Sequence, residues 1–174
     1  MTTVIIPYYR RKKTLDNAIL SCYKIDTLKE IIIVDDEQSE SSAKLLSNIK
    51  EKNNQVRVVK NKFKGAYHAR ITGFYNQSDE VILFLDSDDT FLPDINNLIS
   101  KYAQYKKQIL VCSSYYVDSF CVKHPKNINH FHYLYKRFSG SPFSSIALFN
   151  VEILPWMNLD LKAYQDDDFC LRCQ

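Results

Sequence analysis

Glycine and proline are scarce, at 3 and 5 of 174 residues. So few chain breakers leave no room for flexible linkers or low-complexity tracts, and no internal repeat is visible. Long apolar runs are also missing. No stretch approaches the ~20 residues that a membrane-spanning helix needs, and the amino terminus lacks a signal peptide's hydrophobic segment. Neither sign of charge dominates: 23 basic and 20 acidic residues give a net +3, too little to imply a nucleic-acid binder. The 5 cysteines are an odd number, scattered at 22, 112, 121, 170 and 173, which suits a reducing compartment. Cys170 and Cys173 form a C-x-x-C, with no second pair at zinc-finger spacing. The expectation is a soluble, cytoplasmic chain.

What is present fits one α/β domain with a substantial core, 45% of its residues being apolar. Apolar runs at 3–7 (TVIIP), 30–34 (EIIIV), 55–59, 80–85 and 109–112 predict five strands. Between them, helical spacing marks 14–23, 41–52, 65–75 and 93–105. This alternation predicts a mainly parallel sheet with helices on both faces, and EIIIV and VILFL are apolar throughout, as doubly covered strands must be. Beyond residue 113 the pattern loosens into a segment rich in tyrosine, histidine and lysine, of the kind that covers a site or holds a second substrate.

In such sheets ligands bind beyond the carboxyl ends of the strands. Asp35, Asp36, Asp86, Asp88 and Asp89 all fall at such ends. The stretch VILFLDSDDTFLPD crowds Asp86, Asp88 and Asp89 behind a buried strand, where their mutual repulsion calls for a cation. One reading is a divalent ion, Mn²⁺ or Mg²⁺, holding a nucleoside diphosphate through oxygen ligands. The other is an aspartate nucleophile: Asp86, Asp88 and Thr90 match the D-x-D-x-T of haloacid-dehalogenase-like phosphotransferases. In those proteins the nucleophile strand normally comes first, whereas three strand–helix units precede it here, and no catalytic lysine stands out.

Five motifs in order favour the first reading. VIIPYYRR resembles V-I-I-P-x-Y-N-R, and EIIIVDDEQSES resembles E-I-I-V-V-D-D-G-S-x-D. KGAYHARITG resembles G-x-x-x-A-R-N-x-G, VILFLDSDDTFLPD resembles a strand with a metal-binding D-x-D, and YQDDDFCLR resembles E-D-x-D-L-x-x-R. Together they resemble the family 2 glycosyltransferases, whose fold is GT-A, a Rossmann-like sheet with the nucleotide site at the strands' carboxyl ends. The resemblance implies one domain over 1–174, with a nucleotide-binding half to about 112 and an acceptor-side half after it. Family members usually continue beyond the last motif, so a shortened or catalytically incomplete, nucleotide-binding subunit is the non-enzymatic alternative.

The resemblance also implies roles. Pro7 and Tyr9 would flank the base, and Asp36 would bind the base or ribose. Arg70 would lie near the base or diphosphate. Asp86 would lie by the ribose or metal, and Asp88 would ligate the metal. Asp89 would be either a ligand or a support for the turn. Asp166 would be the base of an inverting transfer, with Asp167 the fallback. The donor would be a nucleoside diphosphate sugar, most commonly of uridine, and the acceptor a glycan or glycolipid hydroxyl in polysaccharide, lipopolysaccharide or glycoconjugate synthesis. Basic clusters at 10–13, at Lys60, Lys62 and Lys64, and at 123–137 read as solvated surface or as attraction for phosphates, acidic glycans or a lipid surface, the last implying a peripheral place on the membrane's inner face. The chain departs from the family at Glu37, Ile71 and Gln165, and at Tyr8, which is bulky where the family often has a small residue. Glu37 stands where glycine is usual, which puts the path of that turn in question.

Overall fold

The structure is a computed structural model that describes residues 1–79, 81–102, 110–111, 117–118, 121–122 and 147–150. The chain opens with β1 (Thr2–Tyr8), α1 (Lys12–Cys22), β2 (Leu28–Asp35), α2 (Glu40–Lys52) and β3 (Val56–Lys60). It continues with α3 (Ala66–Tyr75), β4 (Val81–Phe84) and α4 (Ile95–Tyr102). The short strands β5 (Leu110–Val111), β6 (Val117–Asp118), β7 (Cys121–Val122) and β8 (Ala147–Asn150) follow.

The main sheet has the order β3-β2-β1-β4-β8-β5. Its first four strands are parallel, with Ile5 beside Ile32 on one side and Phe84 on the other. The four helices expected from periodicity are present, and where both the expected and the observed ends lie among the described residues they differ by at most two residues. The sheet's far side carries a strand that the sequence pattern did not mark. The predicted fifth strand is present as β5, but it does not pair with β4. Instead β8, running antiparallel to both, lies between them. Residues 80, 103–109, 112–116, 119–120, 123–146 and 151–174 lie outside the described residues.

Side-chain alternation in β1 builds the two faces. Val4, Ile6 and Tyr8 join Leu15, Ala18 and Ile19 of α1, Leu46 and Ile49 of α2, and Ile95 and Ile99 of α4. Ile5 points the other way, into a smaller cluster with Ile32, Val34, Ile82 and Phe84 that Ala69 and Phe74 of α3 cover. Helices therefore lie on both faces, as the apolar strands required. Helix α3 comes unusually close, because Gly73 faces the sheet: a Cβ there would collide with the side chain of Ile5 and press on Val34.

The two ends of the sheet carry different chemistry. At the amino end, Asp79 is buried and accepts hydrogen bonds from Thr3 Oγ1 (2.6 Å) and Lys29 Nζ (2.8 Å). Burial pushes its carboxyl up, but the bonds from Lys29 and Thr3 and the nearby positive charges outweigh that and hold its pKa below the ordinary value. The carboxyl end gathers the loops that follow β1, β2, β3 and β4.

Candidate nucleotide site

The first loop begins at Pro7, buried on β1 opposite Val34. Tyr8 is buried, and its carbonyl accepts the Asp36 N–H at 3.0 Å, tying the first loop to the second. Burial, with the charges of Glu37 and Asp35, raises the Tyr8 phenol pKa and keeps it neutral. Tyr9 is about half exposed, and the Arg10 guanidinium lies 5.1 Å from its ring centre.

The adjacent aspartates at the end of β2 divide their work. Asp35 Oδ1 accepts the backbone N–H of Glu37 (3.1 Å) and Gln38 (3.0 Å), and its Oδ2 accepts Ser42 Oγ (2.9 Å). It therefore shapes its own loop and the start of α2, where Ser39 and Ser42 cap each other. Asp36 turns to the next loop. Its Oδ1 accepts Asn61 Nδ2 (2.6 Å), and its two oxygens accept the Gly65 N–H at 3.0 and 3.1 Å. Asn61 is itself oriented by Thr72 Oγ1, which donates to its Oδ1 at 2.9 Å. Every one of these contacts on Asp36 comes from a donor, which fixes the carboxylate's orientation toward the third loop.

Glu37 does not need glycine's freedom. The left-handed residue of this turn is Gln38 (φ 53°), and Arg10 (φ 56°) is left-handed in the first loop. Each such residue carries strain on the order of 1 kcal/mol, offset in this turn by the Asp35 hydrogen bonds and by Gln38 Nε2 donating to the Asn61 carbonyl at 2.8 Å.

The third loop ends at Gly65, whose φ of 114° suits glycine and starts α3. One turn into that helix, buried Arg70 donates from a terminal nitrogen to Asp86 Oδ1 at 2.6 Å. Asp86 follows β4 and begins a turn closed by the Asp89 N–H on its carbonyl at 3.0 Å. Phe91 N–H donates to Ser21 Oγ at 3.0 Å, fastening the segment beyond the turn to α1. Asp88 is more open, its side chain 41% exposed, and Arg11 pairs with it at 3.3 Å.

The structure thus brings Asp86, Asp88, Asp89 and Arg70 together, and sets Pro7, Tyr9 and Asp36 on the neighbouring loops of the same edge. Asp166 and Asp167 lie outside the described residues, as do His124, His130 and His132 of the segment rich in tyrosine, histidine and lysine. Sequence reading missed Arg11 and Asn61. Arg11 was legible as the last residue of VIIPYYRR and as part of a basic run, with no role of its own, and Asn61 only as a polar residue after a strand.

Among the described residues no three carboxylate, histidine or cysteine groups form a closed metal cluster. The donor set still fits Mn²⁺ or Mg²⁺. These ions take hard oxygen ligands and commonly use one or two carboxylates, with substrate phosphates and water supplying the rest. Asp88, open to solvent beside Asp86, offers such a partial shell.

The model of glycosyl transferase family 2 matches residues 3–151. The chain belongs to glycosyl transferase family 2. Its sheet is the GT-A arrangement, shared with S. aureus TarS 1-349 in complex with UDP (TM-score 0.74, 18% identity, 99% of this chain and 54% of that one). It is also similar to the mannosyltransferase PcManGT from Pyrobaculum calidifontis in complex with GDP-Man and Mn²⁺ (TM-score 0.68, 16% identity, 96% of this chain and 50% of that one). Among curated relatives, the glycosyltransferase GlyA of Streptococcus pneumoniae is 25% identical over 189 residues, covering 96% of this chain. That match spans only 27% of GlyA. This family 2 member therefore corresponds to part of its longer relatives. No helix among its described residues is long and apolar enough to cross a membrane.

Proposed function

We propose that the chain transfers a sugar from a nucleoside diphosphate donor, with uridine the leading base, to a hydroxyl of a glycan or glycolipid, assisted by Mn²⁺ or Mg²⁺. The observation that carries this reading is the convergence at one sheet edge. Asp36 follows β2, Arg70 lies on α3, and Asp86 and Asp88 follow β4, in a chain of a family named for glycosyl transfer. TarS bound to UDP and PcManGT bound to GDP-Man and Mn²⁺ share the fold and support the choice of ligand class. Family membership also favours this reading over an Asp86 phosphotransferase.

In this mechanism Asp36 accepts hydrogen bonds from the base or ribose, and Pro7 and Tyr9 wall the base. Arg70 fixes the Asp86 carboxylate beside the ribose or metal. Asp88 would hold the divalent ion, with Asp89 as a further ligand or a support for the turn. When bound, the ion neutralises charge that grows on the departing diphosphate. Asp166, or Asp167 beside it, takes the proton from the acceptor hydroxyl, whose oxygen attacks the sugar carbon from the face opposite the diphosphate. The reaction then inverts that carbon. The basic surface at the site's edge suits peripheral association with an anionic membrane holding the acceptor.

Calorimetric titration with UDP, GDP, dTDP and CMP, in Mn²⁺ and then in EDTA, tests the donor site. Metal-dependent binding of one nucleoside diphosphate is expected, abolished by Asp88→Asn. Silence across the panel would refute the reading. Asp166→Asn should keep nucleotide affinity and lose transfer. Retained transfer in that variant moves the base to Asp167 or removes the assignment.

A further inference from the structure

We propose that Arg11 is a mobile counter-charge of the acidic turn. It holds Asp88 while the donor site is free of nucleotide and turns onto the donor's diphosphate when one binds. This rests on the nucleotide-sugar reading above, and goes beyond it by giving a role to the last residue of VIIPYYRR, to which that reading assigns none.

Among the described residues two arginines face the turn, and they differ in kind. Arg70 projects from a packed helix, its side chain 10% exposed, and meets Asp86 at 2.6 Å. It is a fixed part of the wall. Arg11 precedes α1, and its backbone is anchored there: its carbonyl accepts the Thr14 and Leu15 N–H groups at 3.3 and 3.2 Å. Its side chain, by contrast, is 61% exposed and reaches Asp88 through one nitrogen at 3.3 Å. An exposed single-contact pair is weak, so the guanidinium can leave at small cost while its root stays in place.

The chemistry of Asp88 makes that departure necessary. A divalent ion and a guanidinium compete for the same carboxylate lone pairs, and the doubly charged ion at bonding distance prevails over a cation at 3.3 Å. Once displaced, the guanidinium is repelled by the ion and attracted by the phosphate oxygens beside it. Its planar set of donors matches phosphate geometry. Arg11 thus opposes metal binding when the ion arrives alone and favours nucleotide binding when the diphosphate arrives with it. These two effects have opposite signs.

That opposition is the test. Mn²⁺ alone would be titrated into the wild-type chain and into Arg11→Ala, reading the free ion by electron paramagnetic resonance. UDP would then be titrated calorimetrically at saturating Mn²⁺. Arg11→Ala should bind Mn²⁺ about two- to fivefold more tightly, the scale of an exposed ion pair. It should bind UDP about tenfold more weakly, the scale of one charge-assisted hydrogen bond. Uridine, which lacks phosphate, should bind both chains equally. If both affinities move in one direction, or UDP affinity is unchanged, Arg11 is an ordinary surface charge and the inference fails while the donor site stands. If the wild-type chain shows no Mn²⁺-dependent UDP binding, the nucleotide-sugar reading itself fails and takes this inference with it.

Discussion

Replacing Gly73 with alanine sets two known effects against each other. In a helix interior alanine is favoured over glycine by about 1 kcal/mol, so a solvent-facing site would gain stability. Gly73 instead faces β1 and β2. A new Cβ would overlap Ile5 and approach Val34 Cγ2 at 3.2 Å, and both neighbours are β-branched and wholly buried. Such side chains have few alternative rotamers, so overpacking of this kind costs about 1–3 kcal/mol. The overlap with Ile5 is deep, which places the cost in the upper part of that range. The net effect is a loss of about 1–2 kcal/mol, a fall of roughly 2–8 °C in melting temperature for a chain of this size. Urea unfolding of four proteins checks the cause: wild type, Gly73→Ala, Ile5→Ala and the double variant. Ile5→Ala alone should cost about 2–5 kcal/mol by opening a cavity. In that background the added methyl has room, and Gly73→Ala should become neutral or stabilising. The reasoning is refuted if Gly73→Ala stabilises the wild-type chain, or if its cost is the same in both backgrounds. A helix pushed outward would also shift Arg70 relative to Asp86, so Gly73→Ala should weaken nucleotide binding more than its stability loss explains.

Two further outcomes follow from the shifted side-chain pKa values of buried groups. The Asp79 pKa is held below its ordinary value, so its contribution to stability is present above the ordinary carboxylate range and is lost as pH falls through the lowered pKa. Chemical denaturation between pH 2 and 7 should therefore show a steeper acid loss in wild type than in Thr3→Val or Lys29→Met, and equal slopes would refute the assignment. The Lys29 pKa is raised by that same hydrogen bond from its ammonium to Asp79, so its contribution is present below the ordinary lysine pKa and disappears only as pH climbs past the raised one. Burial pushes the Cys22 thiol up to about 12. Iodoacetamide at pH 8 should leave it unmodified in the folded chain, with alkylation appearing in peptide mass spectra only as urea unfolds the protein. Rapid labelling of the native chain would refute its place in the core.

The sheet and its helices were legible because their signals are local. EIIIV and VILFL could only be doubly covered strands, and the spacing of Leu15, Ala18, Ile19 and Cys22 identified α1 and its buried face. The placing of aspartates at strand ends was legible for the same reason, since a carboxylate after an apolar run marks where a strand leaves the core. Strand order at the far edge was not legible. The four residues of β8 sit inside a longer apolar stretch, and nothing local says that such a segment will insert antiparallel between β4 and β5. Partner choice was hidden too. Asp35 and Asp36 are neighbours of identical type, yet pleating sends one to its own loop and the other to Gly65. The concern over Glu37 was misplaced by one residue, because hydrogen bonds to Asp35 Oδ1 let the chain turn left-handed at Gln38 without glycine.

The electrostatics of the edge also explain how such a site tolerates its own charge. Five aspartates lie within two short stretches, and none is left to face its neighbours alone. Asp35 and Asp36 are satisfied by backbone and side-chain N–H or O–H donors, which need not leave when a ligand arrives. Asp86 is matched by a guanidinium locked in a helix. Among the described residues Asp88 has only an exposed arginine at longer range. Rigidity therefore falls off along the edge, from the loop after β2 to the turn after β4. In the proposed reaction the base end of the nucleotide requires fixed acceptors, whereas the diphosphate end must admit an ion and later release a charged product. A gradient running from buried hydrogen bonds to an exchangeable ion pair meets both demands, and it is what supports the proposal of Asp88, rather than Asp35, Asp36 or Asp86, as the carboxylate that receives the cation.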